Sequence, residues 1–507
     1  MTDPNNEALK TKLSRPLDPN WTTRHEGIRH CLTQVYGELE VIESRQRKRG
    51  AKSQDNYIKC IDSIVLDLFR ARLAWPEYLV GIGTGQTVLQ AKSKSRYVPD
   101  FITARAFRDA IELLVAGGYI QTTGQFVSPG GDRQSQTKRY WLSDATRARL
   151  QATGGQSIHL ERNPEAEGII LKDRKKKYIE YGHIPFAEDA RVKLDRINLQ
   201  LQRHWCDIAL SDQELERLGL VMEKKEVATR PNDRDYRAID LSARTLHRVF
   251  NNGSWEQGGR FYGGWWQNLP KKLRRHIIIE DETTVEVDFS GIHPAMMFAR
   301  AGLDVPDDPY ARCMVGNGSD KVRDCIKLTF NALLNAGSIA SLQPQDWHSE
   351  KLTGMSWDAF KDHIVGSFPE FGDQFGSGLG LELQYYDSIM AEAILLHFAN
   401  MGTTCLPVHD SFIVHIGLED ELRDLMGEIF EKQFGKTINM KTKSIMDEYV
   451  PSDQKTDTEQ LIGSWLDAGY ANRRTEWLHF RANLSESSLA KGVSPSGGLP
   501  ITGNDKD

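Results

Sequence analysis

The chain has 507 residues, 39% hydrophobic and 26% charged, with a formal net charge of −6. That length suits about three domains, each with a sizeable core, and the composition is ordinary for a globular protein. No apolar run approaches the roughly 18 residues of a membrane span, and the opening MTDPNNEALK lacks a signal peptide's apolar stretch, so a cytoplasmic protein with no membrane partner is expected. The six cysteines include no Cys-x-x-Cys pair, which argues against a zinc site or a disulfide framework.

In chain order, residues 1–25 read as a loose polar arm, and the arm with its following helix closes near residue 55. Basic residues outnumber acidic ones over residues 1–150, with dense runs in SRQRKRGAK (44–52) and, further on, KDRKKK (172–177). Charge runs are most often solvated faces, so each alone is weak evidence for nucleic acid. Over 56–150 the pattern is helix, loop, helix, hairpin. ITARAFRDAIELLVAGGYI places Ala106, Ile111, Leu114 and Val115 on one helical face and stops at Gly117-Gly118. The next segment, QTTGQFVSPGGDRQSQTKRYWL, predicts two short strands around a Gly-rich basic tip carrying Arg133, Lys138 and Arg139. A helix followed by such a hairpin resembles a winged helix, which implies docking on duplex DNA through those cations. A small α+β domain that binds protein is the other reading of the same pattern.

Residues 151–245 are charged and mostly helical by period, and they predict a connector, with a thumb-like role open to it, that has no motif of its own. Residues 246–450 carry the chemistry. In TTVEVDFSGIHPAMMFARAGL, Val285, Val287 and Phe289 alternate as in a strand, and helical period begins after Pro294, so Asp288 sits at a strand end. CLPVHDSFIV reads as a hairpin whose polar tip holds His409 and Asp410. Two acids on two strand ends meet if those strands are neighbours, and paired carboxylates bridging two Mg²⁺ ions are the usual arrangement for phosphoryl transfer. Between them, DKVRDCIKLTFNALLNAGS places Arg323 and Lys327 one turn apart on a helix, a spacing suited to a triphosphate and equally common on a solvated face. Residues 451–507 predict a C-terminal helix and a disordered tail rich in Ser, Gly and Pro.

The order of these pieces resembles family A DNA polymerases. Gly259-Arg260, Gln267-Asn268-Leu269-Pro270 and Arg274-Arg275 precede Asp288 as in that family's approach to motif A; the Arg323/Lys327 helix resembles motif B; LQYYDSIMAEAILLHFANMG, with Gln384 at its start, resembles the helix before motif C; and VHDS is similar to motif C. The resemblance covers about residues 250–450. It implies an α+β right-hand palm and fingers behind an N-terminal winged-helix-like domain. It further implies Asp288 and Asp410 as catalytic and metal-binding carboxylates for two Mg²⁺, with Mn²⁺ as a substitute. Arg323, Lys327, Phe330, Asn331, Gly291 and His293 would bind nucleotide, and Arg260, Gln267, Gln384 and His409 would position primer and template. The partners implied are DNA template and primer, nucleoside triphosphates, and replication or mobile-element proteins.

Departures from the family are equally specific. The positions after the motif A aspartate that usually hold Gln and then a ribose-excluding Glu are Gly291 and His293, and the aromatic residues expected four and eight after the motif B lysine are Asn331 and Asn335, with Phe330 one position early. Motif C reads His-Asp-Ser, as in single-subunit phage and mitochondrial RNA polymerases. The sequence thus predicts a DNA polymerase or primase-polymerase with relaxed sugar choice and no proofreading. A replication-initiator-like DNA-binding protein with a structural palm, and a template-independent terminal transferase, stay open at this point.

Overall fold

The computed structural model describes residues 14–43, 45, 47–83, 95–123, 138–211, 213, 215–219, 239–444 and 468–483. Helices and strands mix throughout, as the α+β expectation requires. Contacts divide the chain into two units: one within Met1–Glu167, Glu188–Thr245 and Asp457–Asp507, the other within Gly168–Ala187 and Leu246–Thr456. Among the described residues no helix is long and apolar enough to cross a membrane.

In the first unit, α1 (Glu26–Ile42), α2 (Ala51–Ala74) and α3 (Ala104–Ala116) accompany a sheet of β1 (Ser14–Pro16), β2 (Leu79–Ile82), β3 (Ile120–Thr122) and β4 (Lys138–Leu142), in the order β1-β2-β4-β3. The β1–β2 pair is parallel and the other two are antiparallel. Part of the expected loose arm, residues 14–16, is therefore a strand. α2 buries Tyr57, Cys60, Ile61, Ile64, Val65 and Leu68, a stripe at helical spacing that forms the centre of this core. α3 starts where the Thr103 side chain accepts from the Ala106 amide, and it ends at Gly117, before Gly118 at φ 72°. Ala106, Ile111 and Leu114 point inward as predicted, but Val115 is 37% exposed, since the apolar stripe is completed by Phe107 and Ala110. The hairpin tip, with Arg133, lies outside the described residues.

The expected connector over 151–245 is not a body of its own. Ile169–Leu171, three consecutive buried apolar residues, form a strand in the second unit, whereas the described residues of 188–245 pack in the first. The C-terminal helix Ala468–Ala482 also belongs to the first unit, where Tyr470 Oη accepts from Trp205 Nε1 at 2.9 Å.

The second unit holds two sheets. β5 (Ile169–Leu171) pairs in parallel with β6 (His247–Phe250), which pairs antiparallel with β7 (Gly258–Tyr262). The larger sheet centres on β9 (Glu282–Phe289), flanked on one side by β11 (Ser411–His415) and then β10 (Leu406–Val408), and on the other by β8 (Ile277–Ile279) and β12 (Met440–Ser444). Val285, Val287 and Phe289 are buried on β9 as their alternation predicts. Around this sheet lie α4 (Ile292–Arg300), α5 (Asp320–Asn335), α6 (Gly380–Asn400) and α7 (Glu419–Phe434). α6 is tied to the smaller sheet by Arg248, only 2% exposed, which bonds Glu392, Ser388 Oγ and the Gly259 carbonyl.

One buried charge organises the first unit. Asp67 accepts both Nη1 and Nη2 of Arg15 at 2.7 Å and the Asp18 amide at 3.1 Å, with Arg70 also at 3.1 Å. Removing one partner of a buried pair leaves the other charge uncompensated. Asp67→Ala should therefore cost about 3 kcal/mol in chemical denaturation of the full chain; a loss within experimental error would show that Arg15 finds water instead.

Candidate active site

β9 and β11 lie side by side with Asp288 opposite Ser411, the residue after Asp410, and the Phe289 amide donates to the Asp410 carbonyl at 3.3 Å. The two acids predicted from separate motifs are thus neighbours across one strand pair. Val408 pairs with Ser411, so His409-Asp410 forms a two-residue turn, and His409 takes φ 60°. Tight hairpins need positive φ there; a non-glycine residue accepts it at a cost of about 1–2 kcal/mol, held in place by its surroundings. Ser411 does much of that holding: its hydroxyl shares its one proton between Glu286 Oε1 at 2.7 Å and the Val408 carbonyl at 3.1 Å, and Glu286 is salt-bridged to Arg274 at 2.9 Å.

Burial pushes the Asp288 carboxyl up to about 6, and the adjacent Asp410 pushes in the same direction, while Lys443, Lys327 and Lys271 pull it down. The closest of these cations, Lys443 Nζ, stands 3.9 Å from Asp288 Oδ2. Two half-buried carboxylates that meet, among the described residues, only the loosely placed Lys443 suit hard divalent ions, whose charge would relieve the repulsion. Asp288 and Asp410 fit that requirement as ligands; among the described residues no group of three or more His, Cys, Asp or Glu does.

Beside this pair opens a cleft of about 230 Å³. Nine of the residues singled out in the sequence line it: Arg260, Gly291, His293, Lys327, Asn331, Asn335, Gln384, His409 and Asp410; Ile292 and Tyr310 complete the wall. Lys327, Asn331 and Asn335 follow at one-turn intervals on α5 and so share a face. Gly291 begins α4 at φ 63°, a left-handed conformation that any side chain would strain. Arg260 bonds Asp387 through Nε at 2.7 Å and also through Nη2, which lies 3.4 Å from His293 Nε2. Burial would raise the Asp387 carboxyl, but Arg260 and His293 outweigh it and hold the group ionised, below the usual range. Asp387 and Tyr310 were not singled out as site residues. An acid three residues after Gln384 within an apolar helix, and an aromatic after Asp308-Pro309, were the signals available.

Four expectations need correction. Phe330 is fully buried, its ring 5.5 Å from Tyr310, 5.0 Å from Phe368 and 5.2 Å from Phe375, so it supports the cleft wall and cannot touch a nucleotide. Arg323 is one turn before Lys327 as predicted, but its guanidinium is engaged by Asp308 at 3.0 and 2.9 Å and stacks 5.5 Å over Tyr310, outside the cleft lining. Gln267 spends its amide on the Phe261 and Pro407 carbonyls, both at 3.0 Å, and accepts from the Gly263 amide, which makes it a brace between β7 and β10. In the first unit Arg139 is 5% exposed, on the face of β4 opposite the core residues Tyr140 and Leu142; Lys138 is half-buried.

No model of a known protein family matches the chain, and no curated protein sequence matches it. Among solved structures it is similar to the POL domain of Pol1 from M. smegmatis, in complex with DNA primer-template and dNTP, at 12% identity and a TM-score of 0.29, over 81% of this chain and 71% of that one. A likeness at that TM-score carries no weight, and the case for a function rests on the residues of the cleft.

The raised Asp288 carboxyl has a consequence for stability. A carboxyl that titrates higher when folded binds protons more tightly in the native state, so stability falls as pH rises from about 4 through about 6, and the full penalty is present above that window. In metal-free buffer Asp288→Asn should therefore be more stable than wild type at pH 7.5, by on the order of 1–3 kcal/mol, with the gain vanishing near pH 4. Thermal unfolding across that range tests it; equal stability at pH 7.5 would mean that neither burial nor Asp410 raises the Asp288 carboxyl.

Proposed function

We propose that the chain is a palm-type nucleotidyltransferase that extends a primer on a nucleic-acid template, a DNA polymerase or primase-polymerase. The observation that carries the reading is the convergence of Asp288 and Asp410 on one strand pair, beside a cleft whose other wall presents Lys327. Asp288 and Asp410 would hold divalent ions, which when bound activate an attacking hydroxyl and stabilise the departing pyrophosphate. Lys327 supplies a cation to the triphosphate from one wall. Opposite it, Arg260, fixed by Asp387 and close to His293, provides a second positive group pre-set in orientation. His409, on the hairpin tip, and Gln384, on α6, stand where a primer end and a base pair would be read.

The first unit supports a docking role for the chain's front part. Its β2-β4-β3 antiparallel order, with α3 feeding the hairpin, suits a winged-helix-like element. The buried Arg139 leaves Lys138 and α3 to make the contacts with duplex DNA.

Sugar choice follows from the cleft's side chains. Excluding a ribose needs a group filling the space beside C2′, and discrimination of that kind fails where the blocker is missing. Gly291 has no side chain, Asn335 supplies no aromatic wall, and His293 is occupied with Arg260 and lies 3.8 Å from Asp387.

Asp288→Ala and Asp410→Ala should each abolish nucleotide incorporation in a primer-extension assay while circular dichroism and DNA binding stay near wild type, because a ligand is lost and the core is not. Activity within about tenfold of wild type in either variant, little more than 1.4 kcal/mol of barrier, would rule out the two-carboxylate assignment. In a competition between dNTP and NTP on one template, the wild type should favour neither by more than about tenfold; a thousandfold preference, about 4 kcal/mol, would place a gate elsewhere in the cleft.

A further inference from the structure

The first unit contains a second site that the cleft chemistry does not use. A small cavity of about 40 Å³ is edged by Arg24, Arg162, Gln202, Arg244, Trp477 and Arg481. That volume exceeds the roughly 10–15 Å³ one water needs, and it suits a few waters or a single tetrahedral anion. Three of the four arginines have visible partners. Arg24 is clamped by Glu161 through two bonds of 2.6 Å, Arg162 reaches Asp18 at 3.3 Å, and Arg481 Nη1 donates to the Gln202 carbonyl at 3.2 Å.

Arg244 is different. Its Nε donates to the Leu241 carbonyl at 3.1 Å and its guanidinium carbon lies 5.0 Å from the Trp205 ring, yet Nη1 and Nη2 are both buried and meet no acceptor. Buried donors are almost always satisfied, and a buried guanidinium with two idle nitrogens is costly to the fold. Burial accordingly lowers its pKa, with nearby Asp207 too weak an influence to offset the effect. Asp207 is itself bound by Arg473 at 2.7 Å. A guanidinium edge with two parallel donors matches two oxygens of a phosphate, and cations around a closed space favour an anion over neutral waters.

We propose that this cavity binds a phosphate group between Arg162, Arg244 and Arg481, with the Arg244 guanidinium, whose Nη1 and Nη2 are closed off in this structure, turning its two donors into the cavity to receive it. The phosphate belongs either to the end of a nucleic-acid strand or nucleotide, as a monoester, or to the interior of a strand, as a diester. The site is independent of the two-carboxylate cleft, so its test does not depend on polymerase activity.

The test is titration of the full chain with inorganic phosphate by calorimetry at constant ionic strength held with chloride, followed by two oligonucleotides of one sequence with a 5′-phosphate or a 5′-hydroxyl. Wild type should show a saturable phosphate site that Arg244→Met weakens at least tenfold. Without phosphate, Arg244→Met should be at least as stable as wild type in thermal unfolding, since an unpartnered charge has been replaced by an apolar chain of similar length. Arg162→Gln is the second variant, expected to weaken the same site at least threefold should Arg244→Met not fold. An Arg244-dependent preference of about tenfold for the 5′-phosphate oligonucleotide, or about 1.4 kcal/mol, identifies a monoester; equal binding of both, lost together in the variant, identifies a diester. No saturable phosphate binding by wild type, or binding unchanged in both variants, would overturn the proposal.

Discussion

The second unit depends on the register of β9 against β11. Side chains alternate faces along a strand, so a slip of one residue would send Asp288 to the wrong side of the sheet and separate it from Asp410. Two kinds of interaction resist that slip. Val285, Val287 and Phe289 are buried together and would all be displaced, and Ser411 reaches across to Glu286, which Arg274 already holds. The serine after the hairpin aspartate thus serves the site from one residue away, by fixing which residue of β9 faces the turn.

This arrangement sets like charges near each other, and folding bears the cost. Asp288 is displaced upward by burial and by Asp410, and the surrounding lysines offset the effect only in part. Elsewhere in the cleft the opposite choice is made: Arg260 is matched to Asp387, whose buried carboxylate stays ionised. One region of the cleft is therefore electrostatically complete and another is short of positive charge, and the shortage lies where the two carboxylates converge. Under the proposed function the missing charge would arrive with bound divalent ions.

The cleft was largely legible in the sequence because its residues sit at element boundaries with strong local signals. The strand-to-helix switch at Asp288, the polar tip at His409-Asp410 and the one-turn spacing of Lys327 and Asn331 are all readable from periodicity and turn chemistry. What failed were readings that depend on a distant partner. Nothing local reveals that Arg323 meets Asp308, that Gln267 braces the Pro407 carbonyl, or that Phe330 completes an aromatic cluster with Phe368 and Phe375. The expected boundary at 246 coincides with the start of the segment Leu246–Thr456, whereas the strand Ile169–Leu171 pairs with β6 and the helix Ala468–Ala482 returns to the first unit through contacts between residues far apart in sequence, which no local signal reveals. Arg139 is buried although it lies on the face of β4 opposite the core residues Tyr140 and Leu142, which the alternation of the strand alone does not reveal.

The claim at the centre is that the cleft copies a template. The most direct measurement is single-nucleotide incorporation by the full chain in Mg²⁺, using one primer annealed to four templates that differ only in the next base, with each nucleotide offered separately. The result predicted is incorporation of the complementary nucleotide on each template and little of the other three. Incorporation that ignores the template base, or none from any combination, would contradict it.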